Sequence, residues 1–388
     1  MKTLCLIADF EHSGGIRTYF KQLINYFSHN YKQLKIEKLY IFLWQSQNDN
    51  EIQTLLKACP VFVPVVLPRI FQFTIISKVF RKLHLLDWYE SVFEKLTVNK
   101  MLKFKPDAMI FSIGNGTKYF YALTKNIPCL FISHTLMQQS PVIKNYRKKI
   151  YKKILKNVNP KSRVCSVSHI GKTLYEKFLP VPSGCNLYAV LTNHAGSLND
   201  KIKKTKHSNI TILTLGLLAS FKNPDLWLSV AKKITDRCKT ENEEIPDFIW
   251  AGEGTYFNRL TEEARNYTNI KFIGFQNDTS SLYAGSDIYV QPSTTENCCL
   301  SVIEAMKFSL PCVVSNVGGL PEQIENDRNG YLCASGNEKE FFDSIVKLIK
   351  NKTKRTSFGR EARLTFENTY SQEIWNKSFS SLINNLIK

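Results

Sequence analysis

Two glutamates with seven residues between them, Glu296 and Glu304, lie in the segment DIYVQPSTTENCCLSVIEAM, residues 287–306. The pattern predicts a strand ending at Pro292, a polar loop holding Glu296, and a helix opening near Cys299 with Glu304 in its second turn. One carboxylate then stands on the loop and the other on the adjoining helix, both near the carboxyl edge of a sheet. Backbone N–H groups at a helix start lack intrahelical acceptors and attract anions, so the loop suits a diphosphate. Carboxylates beside it would accept hydrogen bonds from sugar and ribose hydroxyls. The plainer alternative is a pair of solvated glutamates flanking an ordinary strand-to-helix turn.

The stretch LTLGLLASFKN, residues 213–223, runs from a strand into a turn at Gly216 and places Lys222 just before a helix opening at Asn223-Pro224. Asparagine followed by proline is a good helix start. A lysine there would neutralise charge building on a leaving diphosphate. Near the N-terminus, Ser13-Gly14-Gly15 separates a strand at 3–8 from a helix at 16–28. Glycines there let the backbone approach a ligand closely, although a simple turn explains a lone Gly-Gly equally well. His134 ends the strand after 129–133 and stands at a carboxyl edge, where a lone histidine is more often structural. Cys298 and Cys299 have no second pair at zinc spacing and no local base, so they read as packing rather than as a metal site or a nucleophile.

These residues need a scaffold, and the chain offers short β-branched and aromatic runs alternating with helical patterns from end to end. Strands are expected at 3–8, 39–44, 108–113, 129–134, 164–168 and 187–192, then at 210–217, 248–251, 270–275, 288–291, 312–316 and 331–333. Such alternation implies parallel sheets covered by helices on both faces. At 388 residues the chain is long enough for two cores. The polar, lysine-bearing run NHAGSLNDKIKKTKHSN, residues 193–209, reads as the linker between them. The expected divisions are an N-terminal domain at 1–193, a linker at 194–209, a C-terminal domain at 210–370 and a final helix at 371–388. In that last piece Ile374, Trp375, Phe379, Leu382, Ile383 and Leu386 recur at helical spacing.

Lysine and arginine total 52 against 33 acidic residues, a formal charge of +19 that favours anionic partners. Residues 144–163 form a basic amphipathic helix pattern, and 70–102 mixes aromatics such as Phe71, Phe73 and Trp88 with Arg69, Lys78 and Arg81. Both suit an anionic membrane surface, and packed helices with solvated lysines would look much the same. Among the ten cysteines, Cys5, Cys129, Cys165 and Cys312 sit in apolar runs and read as reduced core residues. The segment MKTLCLIADF is too short in apolar residues for a signal peptide, and no run of about 18 apolar residues occurs. The expectation is a cytoplasmic protein, peripheral at most on the inner face of the membrane.

With those residues in view, the chain resembles the retaining glycosyltransferases of family 4. The resemblance rests on Pro292-Ser293, Glu296, Glu304-Ala305-Met306, the strand 311–316, the run Val317-Gly318-Gly319-Leu320-Pro321-Glu322, and Gly274-Phe275 followed by Ser286-Asp287. It implies the GT-B fold: an α/β protein of two Rossmann-like, doubly wound domains facing across a cleft. It also implies a nucleotide-sugar donor linked to UDP or GDP, a saccharide or lipid-linked acceptor, no metal and no further cofactor. No Asp-x-Asp sequence occurs to argue for a metal. Nucleic acid is not expected as a partner. Carried over residue by residue, Glu296 would contact the donor sugar and Glu304 the ribose. Cys299, Leu300 and Ser301 would hold the diphosphate at the helix start, with Gly14, Gly15, Gly216, Gly274 and Phe275 as further donor contacts. Lys222 would neutralise the leaving group, and His134 would lie close to the transferred sugar.

Two positions depart from the family pattern: Cys298-Cys299 replaces a usual Phe-Gly, and Leu217 stands where an arginine is common. A nucleotide-sugar epimerase or a phosphorylase of the same fold, and a basic membrane-binding protein on an inactive transferase scaffold, are the competing readings.

Overall fold

The computed structural model describes residues 1–8, 15–44, 50–67, 86–113, 119–136, 154–195, 198, 202 and 209–388. The chain divides into two units, Met1–Leu191 with Asn376–Lys388, and Thr192–Trp375.

In the first unit, β1 (Lys2–Ala8), α1 (Gly15–Asn30), β2 (Ile36–Trp44), α2 (Asn50–Lys57) and β3 (Phe62–Leu67) come first. They are followed by α3 (Leu86–Leu102), β4 (Ala108–Ile113), β5 (Cys129–Ser133), β6 (Arg163–Ser166), α4 (His169–Phe178) and β7 (Tyr188–Val190). The strands form one sheet in the order β3-β2-β1-β4-β5-β6-β7, and all its pairs are parallel. Every residue of β4 and β5 is buried, which is why both read as unbroken apolar runs rather than alternating ones. The strand β3 was not anticipated from sequence, because Pro64 interrupts its pattern. It lies at the sheet edge and pairs only with β2, where a proline's missing N–H costs no ladder bond.

The second unit holds β8 (Thr211–Leu215), α5 (Pro224–Glu241), β9 (Asp247–Ala251), α6 (Phe257–Glu263), β10 (Ile270–Phe272), α7 (Ser280–Ala284) and β11 (Ile288–Gln291). It continues with α8 (Leu300–Lys307), β12 (Cys312–Ser315), α9 (Leu320–Gln323), β13 (Gly330–Cys333), α10 (Glu338–Lys350) and α11 (Lys352–Thr365). The sheet order is β10-β9-β8-β11-β12-β13, again parallel throughout. The first strand of each unit thus lies centrally, and the strand order reverses beside it. The two doubly wound sheets are those of the GT-B fold. Two core layers cover the second sheet, one centred on Trp227, Trp250 and Phe341, the other on Tyr283, Tyr289 and Met306.

The helix α12 (Gln372–Ile387) spans the range its periodicity predicts. Trp375, Phe379, Ile383 and Leu386 are its buried stripe. Within the first unit, Tyr26 Oη and Ser380 Oγ are 2.5 Å apart, and the Phe379 ring meets those of Tyr26 and Phe27 edge-on. Asn193 and His194, at the start of the stretch read as linker, are buried in the second unit. There Asn193 donates to the Cys298 carbonyl, and His194 packs on Trp375. Among the described residues no helix is long and apolar enough to cross a membrane.

Candidate active site

In an open parallel sheet, ligands bind beyond the carboxyl ends of the strands where their order reverses. In the second unit that point lies between β8 and β11. Gly216 leaves β8 with φ at +151°, a conformation that favours glycine, and its carbonyl accepts from the Trp250 indole at 2.9 Å. The neighbouring Gly252 is required by close approach: a Cβ there would stand 2.0 Å from the Gly216 oxygen. Above Gly216 runs the Lys222 side chain, whose Cε would be 3.5 Å from a Cβ at 216.

Lys222 closes the short helical turn before α5, which begins at Pro224 as expected. Asn223 adopts a left-handed conformation there and makes no side-chain cap. The Lys222 ammonium meets Glu296 Oε1 at 2.5 Å, and both side chains are 12% exposed. Burial disfavours the ammonium, yet the facing carboxylate outweighs it and holds the Lys222 pKa above the ordinary lysine value. The backbone joins the same two loops, since the Thr294 amide donates to the Phe221 carbonyl at 2.8 Å.

Glu296 is held from behind by Ser293, which the motif includes without a role, and through it by Gln291 and Tyr289, which the motif did not single out. Ser293 Oγ donates to Glu296 Oε1 at 2.9 Å, and Gln291 Nε2 donates to Ser293 Oγ at 2.8 Å. Tyr289 Oη donates to Gln291 Oε1 at 2.8 Å and accepts from the Leu215 amide at 3.3 Å. Tyr289, Gln291 and Ser293 are fully buried and alternate along one face of β11 and its extension. A glutamine inside an otherwise apolar buried strand was the sequence signal for this chain of bonds.

The helix start is at Cys299, as read, with α8 beginning at Leu300. The Cys299 amide, one of the expected phosphate contacts, is engaged within the unit. Its N–H donates to Gln323 Oε1 at 3.0 Å, and its carbonyl accepts from Gln323 Nε2 at 3.0 Å. Gln323, 24 residues on, therefore fixes the N-cap by a side-chain amide that mimics a backbone pair. Leu300 and Ser301 follow as the first helical residues, where no preceding intrahelical carbonyl exists for their amides. Burial raises the Cys298 thiol pKa to about 12 and that of Cys299 to about 11, so both stay protonated and act as packing.

Glu304 lies one turn into α8 and accepts from Tyr283 Oη at 2.7 Å. Burial drives its pKa up to about 7, and the hydrogen bond from Tyr283 only partly offsets this. Gly274 sits just beyond β10 with φ at +71° and ends that strand earlier than expected; its carbonyl accepts from Gly252 at 2.8 Å. Phe275 is 56% exposed, and Leu217 is 49% exposed, at the same carboxyl edge.

In the first unit the corresponding reversal lies between β1 and β4. His134 follows β5, beside β4. Its N–H donates to the Ile113 carbonyl at 3.1 Å, its Nε2 lies 2.9 Å from Ser112 Oγ, and its ring meets Tyr19 edge-on at 4.5 Å. Burial pushes its pKa down to about 3, so the imidazole is neutral at physiological pH. Gly15 is the first residue of α1, while Gly14 lies outside the described residues. Residues 144–153 of the basic helix pattern lie outside them as well, as does 70–85 of the aromatic stretch. In the described half of the basic pattern only the short turn Leu155–Asn157 is helical and Arg163 opens β6, so the expected helix does not reach 163.

The family profile for glycosyl transferases group 1 matches residues 197–365. An Escherichia coli UDP-Gal:alpha-D-GlcNAc-diphosphoundecaprenol alpha-1,3-galactosyltransferase is 30% identical over 184 residues, covering 45% of this chain and 46% of the relative. The chain spans about half the length of the curated relatives it matches. A glycosyltransferase structure from Rickettsia africae superposes with a TM-score of 0.73 at 17% identity, covering 100% of this chain and 99% of the other. Anabaena HepE in complex with UDP and glucose gives 0.71 at 15% identity, covering 98% and 99%. The stretch that holds Lys222, Glu296 and Glu304 is thus similar to the glycosyl transferases group 1 family.

Proposed function

We propose that this chain is a retaining hexosyltransferase, of the kind grouped in family 4, that moves a sugar from a UDP- or GDP-linked donor onto a saccharide or lipid-linked acceptor. The observation that carries the reading is the buried Lys222–Glu296 pair at the point of strand reversal, beside the start of α8 and Glu304. In the reaction the bond from the anomeric carbon to the β-phosphate oxygen breaks. The acceptor oxygen forms its bond on the same face, and the acceptor proton leaves with the departing phosphate. Charge develops on the diphosphate, where a preorganised ammonium stabilises the transition state more than the ground state. Lys222 supplies that charge, the amides of Leu300 and Ser301 add donors, Glu296 accepts from the sugar hydroxyls, and Glu304 binds the ribose. His134, neutral, serves as a hydrogen-bonding partner for sugar or acceptor rather than as a strong base.

The named activity of the Escherichia coli relative, on a diphosphoundecaprenol-linked acceptor, supports a lipid-linked acceptor in surface polysaccharide or glycolipid synthesis. The formal charge of +19 supports peripheral placement on an anionic membrane. The HepE complex with UDP and glucose supports a UDP-hexose as donor. A second reading, a binding protein on an inactive scaffold, is favoured by the exposed Leu217 at the family's usual arginine position and by the surplus of positive charge. One experiment separates them. The protein is incubated with a panel of UDP- and GDP-sugars, release of nucleoside diphosphate is followed, and product anomeric configuration is read by NMR. Slow release from one donor with retained configuration supports the transferase. No release and no thermal stabilisation by any donor would overturn it, and inversion would overturn the retaining mechanism alone.

A further inference from the structure

At the opposite end of the second sheet, below the amino ends of β11 and β12, lies a groove of about 390 Å³. Its walls are Asp287, Ser309 and Pro311 on one side and Lys352, Arg355, Thr356, Arg360 and Arg363 of α11 on the other. Those five helix positions share one face, so a single stripe carries four cations. The stripe is pressed against the turn because residue 359 is glycine: a Cβ there would stand 2.2 Å from the Ser309 carbonyl oxygen.

Like charges three or four positions apart destabilise a helix, so this arrangement is costly unless something compensates it. The compensation is incomplete. Arg363 pairs with Glu367 and donates to the Lys307 carbonyl, while Arg355 donates to the carbonyls of Leu348 and Ile349 at the end of α10. Arg355 is half-buried, burial disfavours its charge, and Asp287 only partly restores the balance. Arg360 has Glu361 no closer than 4.0 Å, a carboxylate shared with Arg328. Lys352 is exposed and faces no carboxylate within ion-pair distance among the described residues. The groove also holds two exposed hydroxyl residues, Ser309 and Thr356, of which Thr356 donates to the Lys352 carbonyl at 3.0 Å, so Ser309 is the hydroxyl donor it offers. Guanidinium, ammonium and hydroxyl donors around a concave space match the oxygens of a phosphate.

We propose that this groove is a second, non-catalytic site for a phosphoryl oxyanion, carried either by a soluble phosphorylated small molecule or by a phosphomonoester lipid headgroup. Arg355 forms the half-buried floor contact, and Lys352 and Arg360 close over the anion from the rim. The site is independent of the transferase reading, since none of its residues belongs to the donor site.

The test uses the full-length chain, its Lys352→Gln/Arg360→Gln variant, and the charge-conserving Lys352→Arg/Arg360→Lys variant. Each is titrated with inorganic phosphate by calorimetry in about 0.15 M KCl, which screens diffuse attraction beyond about 8 Å. Each is also floated with phosphatidylcholine vesicles containing phosphatidic acid. The glutamine variant should weaken phosphate or vesicle binding by about tenfold or more, as expected for two lost charge-assisted contacts, and the charge-conserving variant should retain it. Loss of free-phosphate binding identifies a soluble ligand, and loss of vesicle binding alone identifies a headgroup. The proposal fails if the wild type binds neither probe, or if the glutamine variant binds both as well as the wild type does.

Discussion

Lys222 Nζ and Glu296 Oε1 meet at 2.5 Å although 74 residues separate them in the chain. Each side chain is only 12% exposed, so the pair is largely desolvated and removing one partner leaves the other charge uncompensated. Lys222→Ala and Glu296→Ala should each lower turnover by about 10²- to 10³-fold, the usual effect of losing a preorganised electrostatic group. Both should also lower stability by about 3–5 kcal/mol. The double variant Lys222→Ala/Glu296→Ala should be less destabilised than the two single losses added, because neither charge is then stranded. Urea denaturation of the four proteins measures this; simple additivity would show that the two groups are not energetically coupled.

The bonds behind Glu296 make a separate prediction. Ser293 is fully buried and donates to Glu296, so Ser293→Ala frees the carboxylate to change rotamer while Lys222 still holds one oxygen. Turnover should fall by about tenfold with little change in donor KM, as when a group is misplaced rather than removed. Gln291→Leu removes the acceptor of the Tyr289 hydroxyl and the donor to Ser293, two buried hydrogen bonds whose loss should lower stability by about 1–3 kcal/mol. Equal kinetics for Ser293→Ala and wild type would remove Ser293 from any positioning role.

The contrast between Glu296 and these supports shows what the sequence could and could not disclose. Strands such as β4 and β11 and the stripe of α12 are local patterns, set by burial on both faces of a parallel sheet or on one face of a helix, and they are legible. Glu296, Lys222 and Glu304 were legible because a loop motif keeps them close to a strand end. Gln323 was not: it caps Cys299 from 24 residues away, and nothing local in LPEQI marks it. Gly252 was missed for a related reason, since its need arises from the Gly216 carbonyl on the neighbouring strand. The edge strand β3 was hidden by Pro64, whose tolerance depends on lying at the edge. Tertiary contacts, not propensity, decide all three.

His134 gives a prediction in acid. Burial lowers its folded pKa to about 3 from the ordinary value of 6.5, so the unfolded chain takes up the proton first as pH falls. The stability it contributes is full above about pH 6.5 and is lost progressively below it. By pH 4 the loss should reach about 2–3 kcal/mol, at 1.36 kcal/mol per unit and discounted for partial solvent access. His194, with its pKa lowered to about 4 by burial and by Lys307, adds a parallel loss. His134→Gln should therefore show a flatter decline in melting temperature between pH 6.5 and 4 than wild type. An identical decline in both proteins would place the acid sensitivity elsewhere.

Glu304 has the opposite sign. Its folded pKa is raised to about 7 from 4.5, so the folded protein holds a proton that the unfolded chain has released. Stability is then highest below about pH 4.5, falls as pH rises towards 7, and is constant above that. Glu304→Gln keeps an acceptor for the Tyr283 hydroxyl without the buried charge, and should be about 1–3 kcal/mol more stable than wild type at pH 8, with the gap closing towards pH 5. Donor binding reverses the balance, because ribose hydroxyls donate to the ionised carboxylate and favour it. At pH 7 the wild type should release a fraction of a proton on binding a nucleoside diphosphate beyond any released by the phosphates themselves. Glu304→Gln should lack that extra release. Calorimetry in two buffers of different ionisation heat reads it directly, and the same proton count for both proteins would mean that Glu304 does not meet the ribose.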